Sequence, residues 1–144
     1  MIKTIERNDI IYGKIIRAEY QPNQTEFYTR KEDEIQFGVM FYDKNHKTGT
    51  HYHNHTPKTT NQTDEILVVQ EGSARIDFYD DQGSYIKSCE IFKNDIAIIY
   101  HGGHNILFYE NSKVLTIKPG AYEQDDDKTR MVGTNNLELI IENN

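Results

Sequence analysis

A single cysteine, Cys89, stands in 144 residues, so no intrachain disulfide can form. Proline and glycine are scarce, 3 and 9 residues, which excludes a disordered or collagen-like composition. No apolar run exceeds Ile96–Tyr100, far short of the ~20 residues a membrane-crossing helix needs, so no membrane span is expected. Clustered basic residues are missing as well. Sixteen Lys and Arg, scattered among 23 Asp and Glu, leave a formal charge of −7, and no nucleic-acid partner is expected. The start MIKTIERND lacks the apolar stretch of a secretion signal, and a cytoplasmic location is the expectation.

What the chain does have is enough apolar and aromatic material, 36% and 11%, for one core, and its length suits a single domain over 1–144. Apolar residues alternate or run continuously, and no window of a dozen residues repeats at three and four, so the chain reads as all-β. The expected strands are Asp9–Arg17, Ile35–Tyr42, Thr50–Asn54, Glu65–Gln70, Ala74–Tyr79, Tyr85–Phe92, Ile96–Tyr100, Asn105–Tyr109 and Val114–Lys118. Turn residues separate them at the spacing of a sandwich or barrel, and Ala74–Tyr79 with Tyr85–Phe92 makes the clearest hairpin. Two stretches read as loops: polar Thr56–Thr63, broken by Pro57, and Ala121–Thr134 with its acidic run 125–127. A last apolar piece, Leu137–Ile141, is expected to add to a sheet edge or exchange with a partner subunit.

All six histidines fall between His46 and His104, four of them within ten residues. In an extended strand residues i and i+2 share a face about 6–7 Å apart, a spacing that suits chelation of one ion. Both His51 with His53 and His53 with His55 satisfy it, so spacing alone leaves the register open. Glu65 shares a face with Leu67 and Val69, and His104 shares one with Ile106 and Phe108. A carboxylate and an imidazole turned toward an apolar core are costly unless paired or bound to a cation. Two histidines, a glutamate and a third histidine on separate strands make a transition-metal set.

These residues resemble the cupin superfamily. Gly49, His51-Tyr52-His53, Glu65 and Gly72, with six residues between Glu65 and Gly72, are similar to the first cupin motif. The strand from Asp95 into Tyr100-His101-Gly102-Gly103-His104-Asn105 is similar to the second, and together they span over a third of the chain. Eleven residues separate His53 from Glu65, so Thr56–Thr63 reads as an insertion, and the proline usual in the second motif is missing. The resemblance implies a cupin-type double-stranded β-helix, or jelly-roll barrel, with its core at about 35–120, an N-terminal strand and a C-terminal arm. It selects His51, His53, Glu65 and His104 as ligands of one divalent transition metal, Fe, Mn, Ni, Co or Zn. It implies a homodimer as well, and a metal-dependent isomerase, epimerase or dioxygenase acting on a polar small molecule such as a sugar or sugar nucleotide. The alternative is a non-catalytic module that binds a small molecule.

Around such a site, His101 is read as a proton-transfer residue at the rim, a partner of a ligand, or an exposed side chain. Arg75, Asp77 and Tyr79 share one strand face, which either lines the pocket or pairs locally in solvent; Gln36 and Tyr52 are further candidates. Lys128 and Arg130 could hold an anionic group of the substrate. His46 and His55, among Asn, Lys and Thr, read as solvated, and Cys89 as an inert buried thiol.

Overall fold

The computed structural model describes residues 1–57, 59–120, 129 and 131, so most of the expected 121–134 loop and all of the expected 137–141 strand lie outside the described residues. Among the described residues the chain is all-β, with ten strands and no helix, hence no helix long and apolar enough to cross a membrane. In order they are β1 (Ile2–Arg7), β2 (Ile10–Ile16), β3 (Glu26–Phe27), β4 (Gly38–Val39), β5 (Glu65–Glu71), β6 (Ser73–Tyr79), β7 (Tyr85–Phe92), β8 (Ile96–Ile99), β9 (Gly103–Phe108) and β10 (Lys113–Ile117). Every pairing is antiparallel. A five-stranded sheet runs β1-β2-β8-β5-β10, a three-stranded sheet runs β7-β6-β9, and β3 pairs only with β4.

The alternation of side chains decides how these pieces stack. Ile15 of β2, Leu67 and Val69 of β5, and Ala97 and Ile99 of β8 form one buried cluster with Ala74, Ile76, Phe78 and Ile91 of the three-stranded sheet. This is the main core between two sheets. The opposite face of the five-stranded sheet buries Ile16, Ile66, Ile98 and Tyr100 under Tyr28, with Phe37 and Val39 packed against them. β8 is therefore covered on both faces, which is why it reads as a continuous apolar run rather than an alternating one.

The expected hairpin forms, with Ala74 opposite Ile91 and Asp77 opposite Ser88. Three expectations are corrected. β1 went unforeseen because its apolar residues Ile2 and Ile5 are three apart; a register shift at Ile5/Glu6 accommodates the broken alternation. The expected strand Ile35–Tyr42 shrinks to Gly38–Val39, and the expected strand Thr50–Asn54 does not form. Every described residue from Met40 to Thr63 is exposed, so among the described residues His51 and His53 have no apolar face to bury and no neighbouring strand to pair with. The two large sheets are separately hydrogen-bonded, and among the described residues no closed barrel is seen.

Candidate functional site

Glu65 is the first residue of β5, and the alternation that buries Leu67 and Val69 turns its carboxylate toward the three-stranded sheet. His104 lies opposite Phe78 in the β6–β9 ladder and faces back toward it. The two meet across the end of the sandwich, His104 Nε2 standing 3.2 Å from Glu65 Oε2. The other carboxylate oxygen accepts a 2.9 Å hydrogen bond from Thr116 Oγ1 and lies 3.3 Å from Lys118 Nζ. Glu65's side chain is only 13% exposed and His104's 29%. Burial by itself pushes the Glu65 carboxyl up, but the hydrogen bonds from His104 and Thr116 and the charge of Lys118 outweigh it and hold the group at about 2.

Gly102 sets the path between these strands. Its φ of +71° is a conformation side chains disfavour, and a Cβ there would run into the carbonyl oxygen of Tyr79 and the ring of Tyr12. The chain thereby passes within four residues from Tyr100, packed outside the five-stranded sheet, to His104 between the sheets.

A divalent ion fits part of this arrangement. Two ligands about 2.1 Å from one octahedral ion stand about 3 Å apart, which is the separation of Glu65 and His104. His51 and His53 sit on the exposed 40–63 stretch, their ring centroids 5.3 Å apart in an edge-to-face contact, and His51 Nδ1 lies 2.8 Å from the Gly49 carbonyl. Among the described residues no group of three or more His, Cys, Asp or Glu is gathered as a metal cage. The structure thus brings together Glu65 and His104 of the expected four, and leaves His51 and His53 apart from them.

The remaining candidates fall elsewhere. His101 Nε2 is 3.2 Å from Asp81 Oδ2, and its ring leans on Tyr12 at 5.6 Å. Arg75 and Tyr79 lie on the outer face of the three-stranded sheet yet are 5% and 4% exposed. Arg75 Nη2 donates to Asp77 Oδ2 at 3.1 Å; its Nε is 2.8 Å from Oδ1 but lacks hydrogen-bond alignment. Asp77 also accepts from Ser88, so the expected local pairing of Arg75 with Asp77 forms, but inside a buried polar network rather than in solvent. Tyr79 accepts from Asn105 Nδ2, and burial raises its hydroxyl pKa. Gln36 is exposed and donates to the carbonyls of Arg30 and Asp33, Tyr52 is 85% exposed, and Lys128 and Arg130 lie outside the described residues. His46 and His55 are exposed, His46 stacked on Tyr42 at 4.4 Å, and Cys89 is buried, as expected.

Sequence reasoning missed Thr116 and Lys118. The signal was present: Val114 packs on the core, and period-two alternation carries Thr116 and Lys118 to its face. No family model, curated protein or solved structure matches the chain, so the likeness to cupins rests on its motif residues alone.

Proposed function

We propose that this chain is a cupin-type jelly-roll protein, working as an enzyme on a polar small molecule of the sugar or sugar-nucleotide kind, with its chemistry at Glu65 and His104. The approach of these two side chains from strands 39 residues apart, at the mouth between two sheets, carries the reading. A divalent transition metal would be held there by Glu65 and His104, with His51 and His53 of the neighbouring segment as the remaining ligands. When bound, such an ion acts as a Lewis acid on a substrate oxygen. Glu65, ionised across the physiological range, supplies the negative charge the ion requires, and His104 a nitrogen donor. Assembly as a homodimer through sheet edges belongs to the same reading.

One observation favours a second reading. Both oxygens of Glu65 already have partners, and the Lys118 ammonium stands 3.3 Å from one of them, where it repels a cation. In that case Glu65 and His104 form a metal-free pair, with the carboxylate orienting the imidazole as a proton-transfer base for an isomerase or epimerase.

Metal analysis separates the two. Near-stoichiometric metal in the purified protein, lost in a folded His104→Ala variant and in a His51→Ala/His53→Ala variant, supports the four-ligand centre. Metal-free protein whose melting is unchanged by chelator or by added Mn, Fe, Ni, Co or Zn ions overturns it. Retained isomerase turnover in chelator, abolished by His104→Ala, selects the metal-free base; ligand binding without any turnover selects a binding module.

A further inference from the structure

A second site lies on the other side of the five-stranded sheet. Between β2 and the stretch after β3 is a cavity of about 250 Å³, bordered by Lys14, Arg30, Asp33, Gln62, Tyr100 and His101. Ile10 and Ile11 complete an apolar wall with the nearly buried Tyr100 ring. None of its bordering residues belongs to the Glu65 and His104 pair.

The polar groups are held in place before any ligand arrives. Arg30 Nη2 pairs with Asp33 Oδ1 at 2.7 Å, and Asp33 Oδ2 also accepts from the Arg30 backbone amide. Lys14 Nζ donates to the Tyr28 carbonyl at 2.6 Å, the same carbonyl that Tyr100 Oη reaches at 3.2 Å. Lys14 retains two N–H groups for a ligand, and Arg30 retains Nη1. Gln62 spends its amide nitrogen on Asp64 Oδ1 and keeps its carbonyl oxygen as an acceptor. Behind Gln62, Asp64 is 1% exposed, and its Oδ2 has no hydrogen-bond partner among the described residues.

Charge narrows the occupant. Lys14 and Arg30 oppose Asp9 and Asp33, so the cavity border carries balanced charge and gives no net attraction to an anion or a cation. Donors and acceptors both border the cavity beside an apolar wall, a combination that suits hydroxyl groups, since each both donates and accepts. The volume falls just below the ~300–1,000 Å³ of ordinary ligand clefts, which limits the occupant to about one ring. We propose that this cavity is a binding site for an uncharged polyhydroxyl molecule of monosaccharide size, separate from the Glu65 and His104 site.

The proposal does not rest on the metal reading, and its test is run in chelator so that the two fail independently. The full-length ¹⁵N-labelled protein is titrated with D-glucose, D-galactose and myo-inositol, and with glucose 6-phosphate and glucosamine as charged counterparts. The expected result is saturable amide shifts, in the millimolar range, at Lys14, Arg30, Asp33, Gln62 and Tyr100 for at least one uncharged probe. Gln62→Leu should weaken that binding about two- to tenfold, and because it also takes the donor from the buried Asp64, its fold is first checked against the wild-type amide spectrum. The proposal is overturned if no uncharged probe shifts these amides, if only a charged probe does, or if the shifts fall at Glu65 and His104 instead.

Discussion

Glu65 ties fold stability to pH in a way that can be measured without knowing a substrate. Its carboxyl is held at about 2 in the folded chain against an ordinary 4.5, because His104, Thr116 and Lys118 together outweigh its burial. A carboxylate with a depressed folded value stabilises the fold fully above the unfolded value, near 4.5, and loses that contribution as pH falls toward 2. The gap corresponds to on the order of 3 kcal/mol at 1.36 kcal/mol per pH unit, and about 2 kcal/mol of it is gone by pH 3. Glu65→Gln retains a partner for Thr116 but cannot titrate. Urea unfolding of both proteins in chelator, from pH 7 to pH 3, isolates the residue from every other carboxylate. The wild-type advantage over Glu65→Gln should be constant from pH 7 to pH 6 and shrink by about 2 kcal/mol by pH 3. A difference that stays flat through this window refutes the geometry from which the depression follows.

Other perturbations probe the surroundings of the site. Lys118→Met removes the ammonium from Glu65 and, in the metal reading, tightens binding of a divalent ion about tenfold or more by calorimetry; unchanged affinity counts against a metal at Glu65. Asp95 accepts from the amides of Ala18 and Phe92 and from Arg17, so Asp95→Ala should cost about 2–4 kcal/mol by chemical denaturation, and a loss below about 1 kcal/mol contradicts that role. Phe78, fully buried between the sheets, should cost about 3–5 kcal/mol as Phe78→Ala in the same assay. Arg75→Met should cost about 3–5 kcal/mol by stranding the buried Asp77 charge, whereas a substrate-binding role alone predicts normal stability and weaker substrate binding.

Most of the fold was legible because hydrophobic period is a local signal. β5 to β10 lie within two residues of their expected bounds, each having an alternating or doubly buried apolar pattern that only a strand satisfies. β1 escaped because its bulge breaks the period, and β3 because two residues carry no period at all. The error at Thr50–Asn54 has a different origin. His-x-His has the right period for a strand, but period states only which side chains would share a face, and among the described residues the backbone there has no partner strand to make that face real.

The same distinction explains why half the expected ligand set was found together. Glu65 and His104 are each locked to a core strand by the residues two positions on, Leu67 and Ile106, so burying those apolar groups also fixes where the polar ones point. His51 and His53 have no such neighbours; nothing in their segment contributes burial energy that would hold two imidazoles against a carboxylate. If the four residues act together, the ordering of that segment must be driven by the bound ion itself, and part of the binding free energy is spent on it. The pair on the strands would then set where an ion sits, while the His51 and His53 stretch would set how tightly it is held. The double variant at those two histidines should accordingly weaken metal binding without shifting the melting temperature of the metal-free protein.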